Sequence, residues 1–203
     1  MTRRSTSARA TASGAPLYQL KVTLLGARPP IWRQVVVPAS IRLDRLHFVL
    51  QTVMGRTNSH MHQFITGTSR TRTYFGAASS DAGNDDGPAL EDERAHALAD
   101  LAPGPKQRFF YEYDFGDSWE HEIVVEKLLP PAPAARGAVC VAGAGACPPE
   151  DCGGLDGYYD LLEILADRKH PDHAEMKSWA GGLLDPAHFD LAAVNRGLSR
   201  CRV

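Results

Sequence analysis

Residues 108–129 read RFFYEYDFGDSWEHEIVVEKLL, the strongest β signal in the chain. Phe109, Tyr111, Tyr113 and Phe115 fall at every second position, so an extended chain puts all four on one face. Gly116 interrupts the alternation, and Trp119, His121, Ile123 and Val125 resume it. Aromatic and β-branched side chains at a period of two specify strands. Two adjacent central strands are therefore predicted, with a turn around Gly116.

Working outward, LYQLKVTLLG from Leu17 and IWRQVVVP after the turn ARPP read as a hairpin. Trp32 and Arg33 must point to opposite faces of the second strand. Hydrophobicity assigns Trp32 to the core and Arg33 to solvent or an acidic partner. Leu43, Leu46, Leu50 and Val53 recur at helical spacing, and Gly55 stands where that helix would end. HMHQFITG and RTYFG read as further strands and PPAPAARGAV as a loop. GYYDLLEILAD, HAEMKSW and AHFDLAAVNRGL read as helices, the last with Asp185 as N-cap and Pro186 at its first position. The order predicts an α+β fold: a largely antiparallel sheet packed with helices, and a mainly helical C-terminal part. The expected organisation is a disordered tail over residues 1–16 and a single domain over 17–203. A mobile acidic loop is expected at about 77–95, because residues 79–100 hold seven acids against one arginine.

Composition narrows the function. A formal charge of −2 over 203 residues argues against a protein that works mainly by neutralising phosphates. No run reaches the roughly 20 apolar residues of a membrane helix. The opening MTRRSTSARATASGAP lacks the apolar stretch of a secretory signal; its Arg, Ser and Ala suit a disordered tail or an organellar transit peptide. A cytoplasmic location with no membrane partner is expected, and there four cysteines do not read as a disulfide framework. P-loop, GxGxxG, GxSxG and HExxH patterns are absent, so the common nucleotide-binding and hydrolase templates have no support.

Reactive side chains gather in three places. His60 and His62 project from one face if HMHQFITG is extended, an arrangement that lets two imidazoles share a metal. Asp114 and Asp117 flank a Phe-Gly turn, and His121 shares the apolar face of Trp119, so it needs a buried partner: a structural carboxylate, a metal, or a base–carboxylate pair. CPPEDCGG places Cys147 and Cys152 around Glu150 and Asp151. That segment reads either as a rigid turn or as half of a metal site completed by the histidines. Zinc would use the thiols and imidazoles, whereas a harder ion such as magnesium or manganese would use the aspartates and leave the cysteines as packing.

Taken in order, PPIWRQVVVP, MGRTNSHMHQF, YEYDFGDSWEHEI, CPPEDCGGLDGYYDLLEIL and FDLAAVNRGL resemble the plasmid pRiA4b ORF-3-like family over about Tyr18 to Leu198. The resemblance implies a single α+β domain, often encoded on plasmids or near mobile elements, and assigns no activity. Some relatives are labelled resolvases. Residues 109–126, with six acids and no lysine or arginine, would repel a phosphate backbone unless a metal intervened. Arg56 departs from the family pattern, which has Trp after that glycine, and so removes an aromatic on which a surface ligand could stack.

These observations lead to a ligand- or metal-binding domain in which His60, His62, Asp114, Asp117, His121 and the CPPEDCGG loop form one polar pocket. Cys147, Cys152 and the three histidines are its metal candidates, with zinc as the candidate cofactor; Asp114, Asp117, Glu150 and Asp151 are its ligand contacts. Whether the pocket catalyses a reaction stays open. The rival reading is a non-catalytic, mobile-element-associated module that binds protein or nucleic acid through exposed strands or the basic end, Arg196, Arg200 and Arg202. A third is that these polar residues specify the fold through buried hydrogen bonds.

Overall fold

The alternation of residues 108–129 is realised as β6 (Arg108–Tyr113) and β7 (Trp119–Leu129), paired antiparallel with Tyr111 opposite His121. The structure, a computed structural model, describes residues 15–77, 89–131 and 137–201. In it β1 (Leu17–Leu24), β2 (Trp32–Pro38), β3 (His62–Thr66), β4 (Thr73–Gly76), β5 (Leu90–Asp92) and β8 (Val139–Ala144) join the two central strands. The eight form one sheet in the order β5-β4-β3-β6-β7-β1-β2-β8. Every pairing is antiparallel except β4 with β5. The helices are α1 (Leu43–Val53), α2 (Leu98–Leu101), α3 (Gly154–Ala166), α4 (His173–Trp179) and α5 (Leu191–Leu198). The fold is thus α+β with a mainly helical C-terminal part, and none of its described helices is long and apolar enough to cross a membrane.

One face of the sheet is buried. Leu20, Val22, Phe64, Phe109, Tyr111, Tyr113, Trp119, Ile123 and Val125 join a single core with Leu43, Leu46, Leu50 and Val53 of α1. Burying each such aliphatic or aromatic side chain contributes about 1.5–3 kcal/mol, which is why the period-two strands and the period-3.6 helix meet along these rows.

Several expectations change. The faces of β2 are reversed: Arg33 is buried and Trp32 lies on the outer face, with the Lys21 ammonium 5.4 Å from its ring. Val35 and Val37 must face inward, and strand parity carries Arg33 with them. Its guanidinium then donates to the carbonyls of Val53 (2.9 Å), Trp32 (2.8 Å), Ala144 (2.8 Å) and Gly145 (2.9 Å) and to Cys147 Sγ (3.1 Å). Phe115 leaves its aromatic row, because β6 ends at Tyr113 and the chain turns. The last helix starts at Leu191 with Asp190 as N-cap, its carboxylate accepting from Ala193 N, while Asp185 caps only a local turn. β8 starts at Val139, the last residue of the segment read as a loop, and runs to Ala144 through residues to which no element was assigned. Within the expected acidic loop, Leu90–Asp92 form β5 and Glu93–Ala95 a 3-10 turn with Glu93 buried; residues 78–88 lie outside the described residues. The expected tail falls there too, apart from residues 15 and 16.

Arg33 ties the C-terminal end of α1, the end of β8 and the start of the cysteine loop together. Arg33→Ala is expected to lower unfolding free energy in urea by about 3–5 kcal/mol, since carbonyls at three elements lose their donor and a void opens beside them. Lysine, lacking the planar fork, should recover less than half of that loss. A loss under about 1 kcal/mol would show that these carbonyls find other donors.

Candidate functional site

Three loops converge at one end of the central strands. The first is the β6–β7 turn, where Asp114 takes φ 58° and its Oδ1 accepts from Gly116 N (3.0 Å). Aspartate tolerates this left-handed conformation because its short side chain bonds the local backbone. The second loop joins α1 to β3. Ser59 N and His60 N both donate to Tyr113 Oη, at 2.9 and 3.3 Å. Asn58 is held by Gln51 Oε1, which accepts from its N at 2.8 Å, and by the imidazole of His47, which donates to its Oδ1 at 2.7 Å.

The third loop is CPPEDCGG. Glu150 Oε1 accepts from Thr57 N (2.7 Å) and Tyr113 Oη (3.1 Å), and Asp117 Oδ2 accepts from Gly153 N (3.2 Å). Gly154 permits the close approach, for a Cβ there would sit 2.9 Å from the Asp117 carbonyl oxygen. Beneath the loop lies Arg56, whose side chain is 2% exposed. Its guanidinium stacks on the Trp119 ring at 4.3 Å, donates to the Pro148 carbonyl at 3.2 Å and stands 3.8 Å from Glu150 Oε2. The arginine expected at the surface is an internal clamp.

The closed loop brings Asp151 to His60. His60 Nε2 lies 2.9 Å from Asp151 Oδ1 and 3.6 Å from Asp114 Oδ2, and the three ligand atoms all fall within 4.8 Å of one another. The 2.9 Å approach lacks hydrogen-bond geometry, so Nε2 is buried without a hydrogen-bond partner among the described residues. Asp114 is buried, whereas the Asp151 side chain is 67% exposed and opens the cluster to solvent. Asp151, like Asp114, holds a left-handed backbone, φ 57°. Such conformations concentrate where surrounding structure fixes a functional geometry.

The other residues singled out in the sequence do other things. His60 precedes β3 and His62 begins it, and the two part: His62 Nε2 donates to Glu93 Oε2 at 2.8 Å while its ring stacks on His47 at 3.6 Å. Cys147 lies under Arg33, and Cys152 Sγ turns to the Gly154 carbonyl, 3.7 Å away. Burial raises both thiols, Cys152 to about 11 with Asp117 adding to the effect, so neither supplies a ready thiolate. His121 is fully buried, its Nδ1 donating to the Tyr111 carbonyl at 3.3 Å. Asp117 and Glu150 fasten the loop. Among the described residues, His60, Asp114 and Asp151 are the one group of three arranged to hold a metal.

His47, Gln51 and Glu93, and the inward role of Arg56, were not anticipated. His47 and Gln51 had a signal: with Leu43 they fall four residues apart on the apolar stripe of α1. Arg56 and Glu93 lie outside any periodic pattern, and only tertiary contact reveals them.

A single α+β sheet whose loops gather a histidine and two aspartates at one end defines the class. The chain belongs to the plasmid pRiA4b ORF-3-like protein family, whose model matches residues 16–193. It is 42% identical over 182 residues to the uncharacterised protein y4hQ of Sinorhizobium fredii (strain NBRC 101917 / NGR234), covering 89% of this chain and 87% of that protein. It is also similar to the crystal structure of a protein of unknown function, MM3350 from Methanosarcina mazei Go1. That likeness has a TM-score of 0.75 and 31% identity over 88% of this chain and 97% of that one.

The buried imidazoles make stability depend on pH. Burial, and then the charge of Arg56, push His121 down to about 3; burial, and then His62, push His47 down to about 4. The unfolded chain protonates both near pH 6.5 and so binds more protons than the folded one below that value. Their contribution is intact above about pH 6.5 and is lost by about 1.4 kcal/mol per pH unit per histidine as the pH falls towards the folded values. In urea unfolding between pH 7 and pH 5, His121→Gln and His47→Gln should each make the parent's acid slope shallower by up to about 1.4 kcal/mol per pH unit. Unchanged slopes in both variants would show that these imidazoles protonate inside the fold.

Proposed function

We propose that the protein binds one divalent first-row metal ion through His60 Nε2, Asp114 Oδ2 and Asp151 Oδ1, and uses it to hold a small ligand or water at the open side. The observation that carries this reading is the convergence of a buried imidazole nitrogen lacking a hydrogen-bond partner with two carboxylate oxygens, 2.9 and 3.6 Å away. These separations suit neighbouring ligands of an ion with bonds of about 2.0–2.2 Å. One nitrogen and two oxygens favour zinc or manganese over a thiolate-loving ion. Three protein ligands leave a coordination position free, the mark of a working site rather than a closed structural one.

The set differs from the thiol-rich zinc site weighed from the sequence and agrees with its alternative of aspartates with packing cysteines. Less supports a nucleic-acid module. Glu112, Glu120, Glu122 and Glu126 stand at outer positions of β6 and β7 against Arg108, which pairs with Glu122 at 3.0 Å, and Lys127, leaving a net negative face that phosphates would avoid.

Protein purified without a metal-affinity tag and equilibrated with Mn²⁺ or Zn²⁺ should retain about one ion per chain by elemental analysis. Asp114→Asn and His60→Ala should each weaken retention at least tenfold, and Cys147→Ser with Cys152→Ser should leave it unchanged. No retained ion, or loss only in the cysteine variants, would refute the assignment.

A further inference from the structure

On the far side of Asp151 the surface drops into a groove between α3 and α4. One part has a volume of about 330 Å³ and is floored by Leu161, Ile164, Met176 and Trp179, with Asp151 and Asp160 at its rim. It shares Asp160 and Ile164 with a second part of about 390 Å³, edged by Glu163, Asp167 and His170. The helices are fixed side by side by His173, whose Nδ1 donates to the Ile164 carbonyl at 3.0 Å.

Two features are unexplained by folding. First, α4 has no buried residue, so Met176 and the 48%-exposed Trp179 present their apolar surface to the groove rather than to the core. An exposed tryptophan beside a methionine is the composition of an interface rather than of a solvated helix. Second, Asp160 and Glu163 on α3 and Asp167, which ends it, follow one edge, and among the described residues neither part of the groove is lined by lysine or arginine. Among the described residues these three carboxylates have no ion-pair partner, and only Asp167 has a local role, its Oδ1 accepting from Lys169 N at 2.9 Å.

We propose that this groove docks a segment of a partner polypeptide in which lysine or arginine alternates with apolar residues. The apolar side chains would lie on Leu161, Ile164 and Met176, and the cations would meet Asp160, Glu163 and Asp167, one of them over the Trp179 ring. The acidic edge from Asp160 to Asp167 is about 10 Å long, enough for three or four extended residues. Because the groove is open rather than enclosed, a peptide suits it better than a small molecule. Docking here requires no ion at Asp151, so this inference and the metal reading can fail separately.

Fluorescence anisotropy with a fluorescein-labelled Lys-Leu-Lys-Leu-Lys-Leu peptide tests it, with Glu-Leu-Glu-Leu-Glu-Leu as the charge control. The basic peptide should bind and the acidic one should not. Asp160→Lys with Glu163→Lys, and separately Trp179→Ala, should each weaken binding at least tenfold. These side chains are exposed, so the variants should keep the parent's circular dichroism. Asp114→Asn should bind as the parent does. Glu120→Lys with Glu122→Lys, on the outer sheet face, should also bind as the parent does. Parent-like binding by the groove variants, an equal loss in the sheet-face variant, or equal binding of both peptides would overturn the proposal.

Discussion

The arrangement of the site depends on a buried guanidinium. Arg56 follows the glycine that ends α1 and turns inward, placing a positive charge between the Trp119 ring and the underside of the cysteine loop. Removing such a charge from water costs several kcal/mol unless partners replace the lost hydration. Here the replacements are the Pro148 carbonyl, the Glu150 carboxylate and an aromatic face. All but the ring belong to CPPEDCGG, so the loop cannot lift away without stranding the charge. Asp151, next to Glu150, is thereby carried to His60. Arg56 Nε and Nη2, Glu150 Oε2 and Trp119 Nε1 remain buried without hydrogen-bond partners among the described residues.

Arg33 performs the complementary task at the entrance to the same loop. It binds carbonyls of β8 and the residue after it and reaches the last turn of α1, whose unpaired carbonyls attract a cation. Two inward arginines thus fix both sides of a short segment rich in proline and glycine that has little regular hydrogen bonding of its own. The thiols, which draw attention in the sequence, pack between these fixed points; Cys147 and Cys152 both border the core.

Much of the fold was legible because strands and helices advertise their buried face by periodicity. Phe109, Tyr111, Tyr113, Trp119, Ile123 and Val125 declared one face of two strands, and Leu43, Leu46, Leu50 and Val53 one stripe of a helix. Parity alone could not say which side of β2 faces inward. Val35 and Val37 outweigh Trp32, and the long arginine found carbonyls where an acid had been expected. The strand β8, VCVAGA, was missed because its small residues carry little β signal. The candidate site was legible in part: His60, Asp114 and Asp151, which the structure brings together, stood among the nine residues named. The sequence could not separate them from His62, His121 and the cysteines, because an imidazole chooses its partner through tertiary contact. His62 meets Glu93, which comes from a segment read as loop. His121 meets a backbone carbonyl, which no side-chain pattern records.

In the proposed metal site, a loop clamped over the sheet brings one of two aspartates to a histidine. Crystals grown with Mn²⁺ and measured at a wavelength where manganese scatters anomalously test it most directly. One anomalous peak per chain is expected, within about 2.0–2.3 Å of His60 Nε2, Asp114 Oδ2 and Asp151 Oδ1. No peak at that position, or one seated on Cys147 and Cys152 instead, would contradict it.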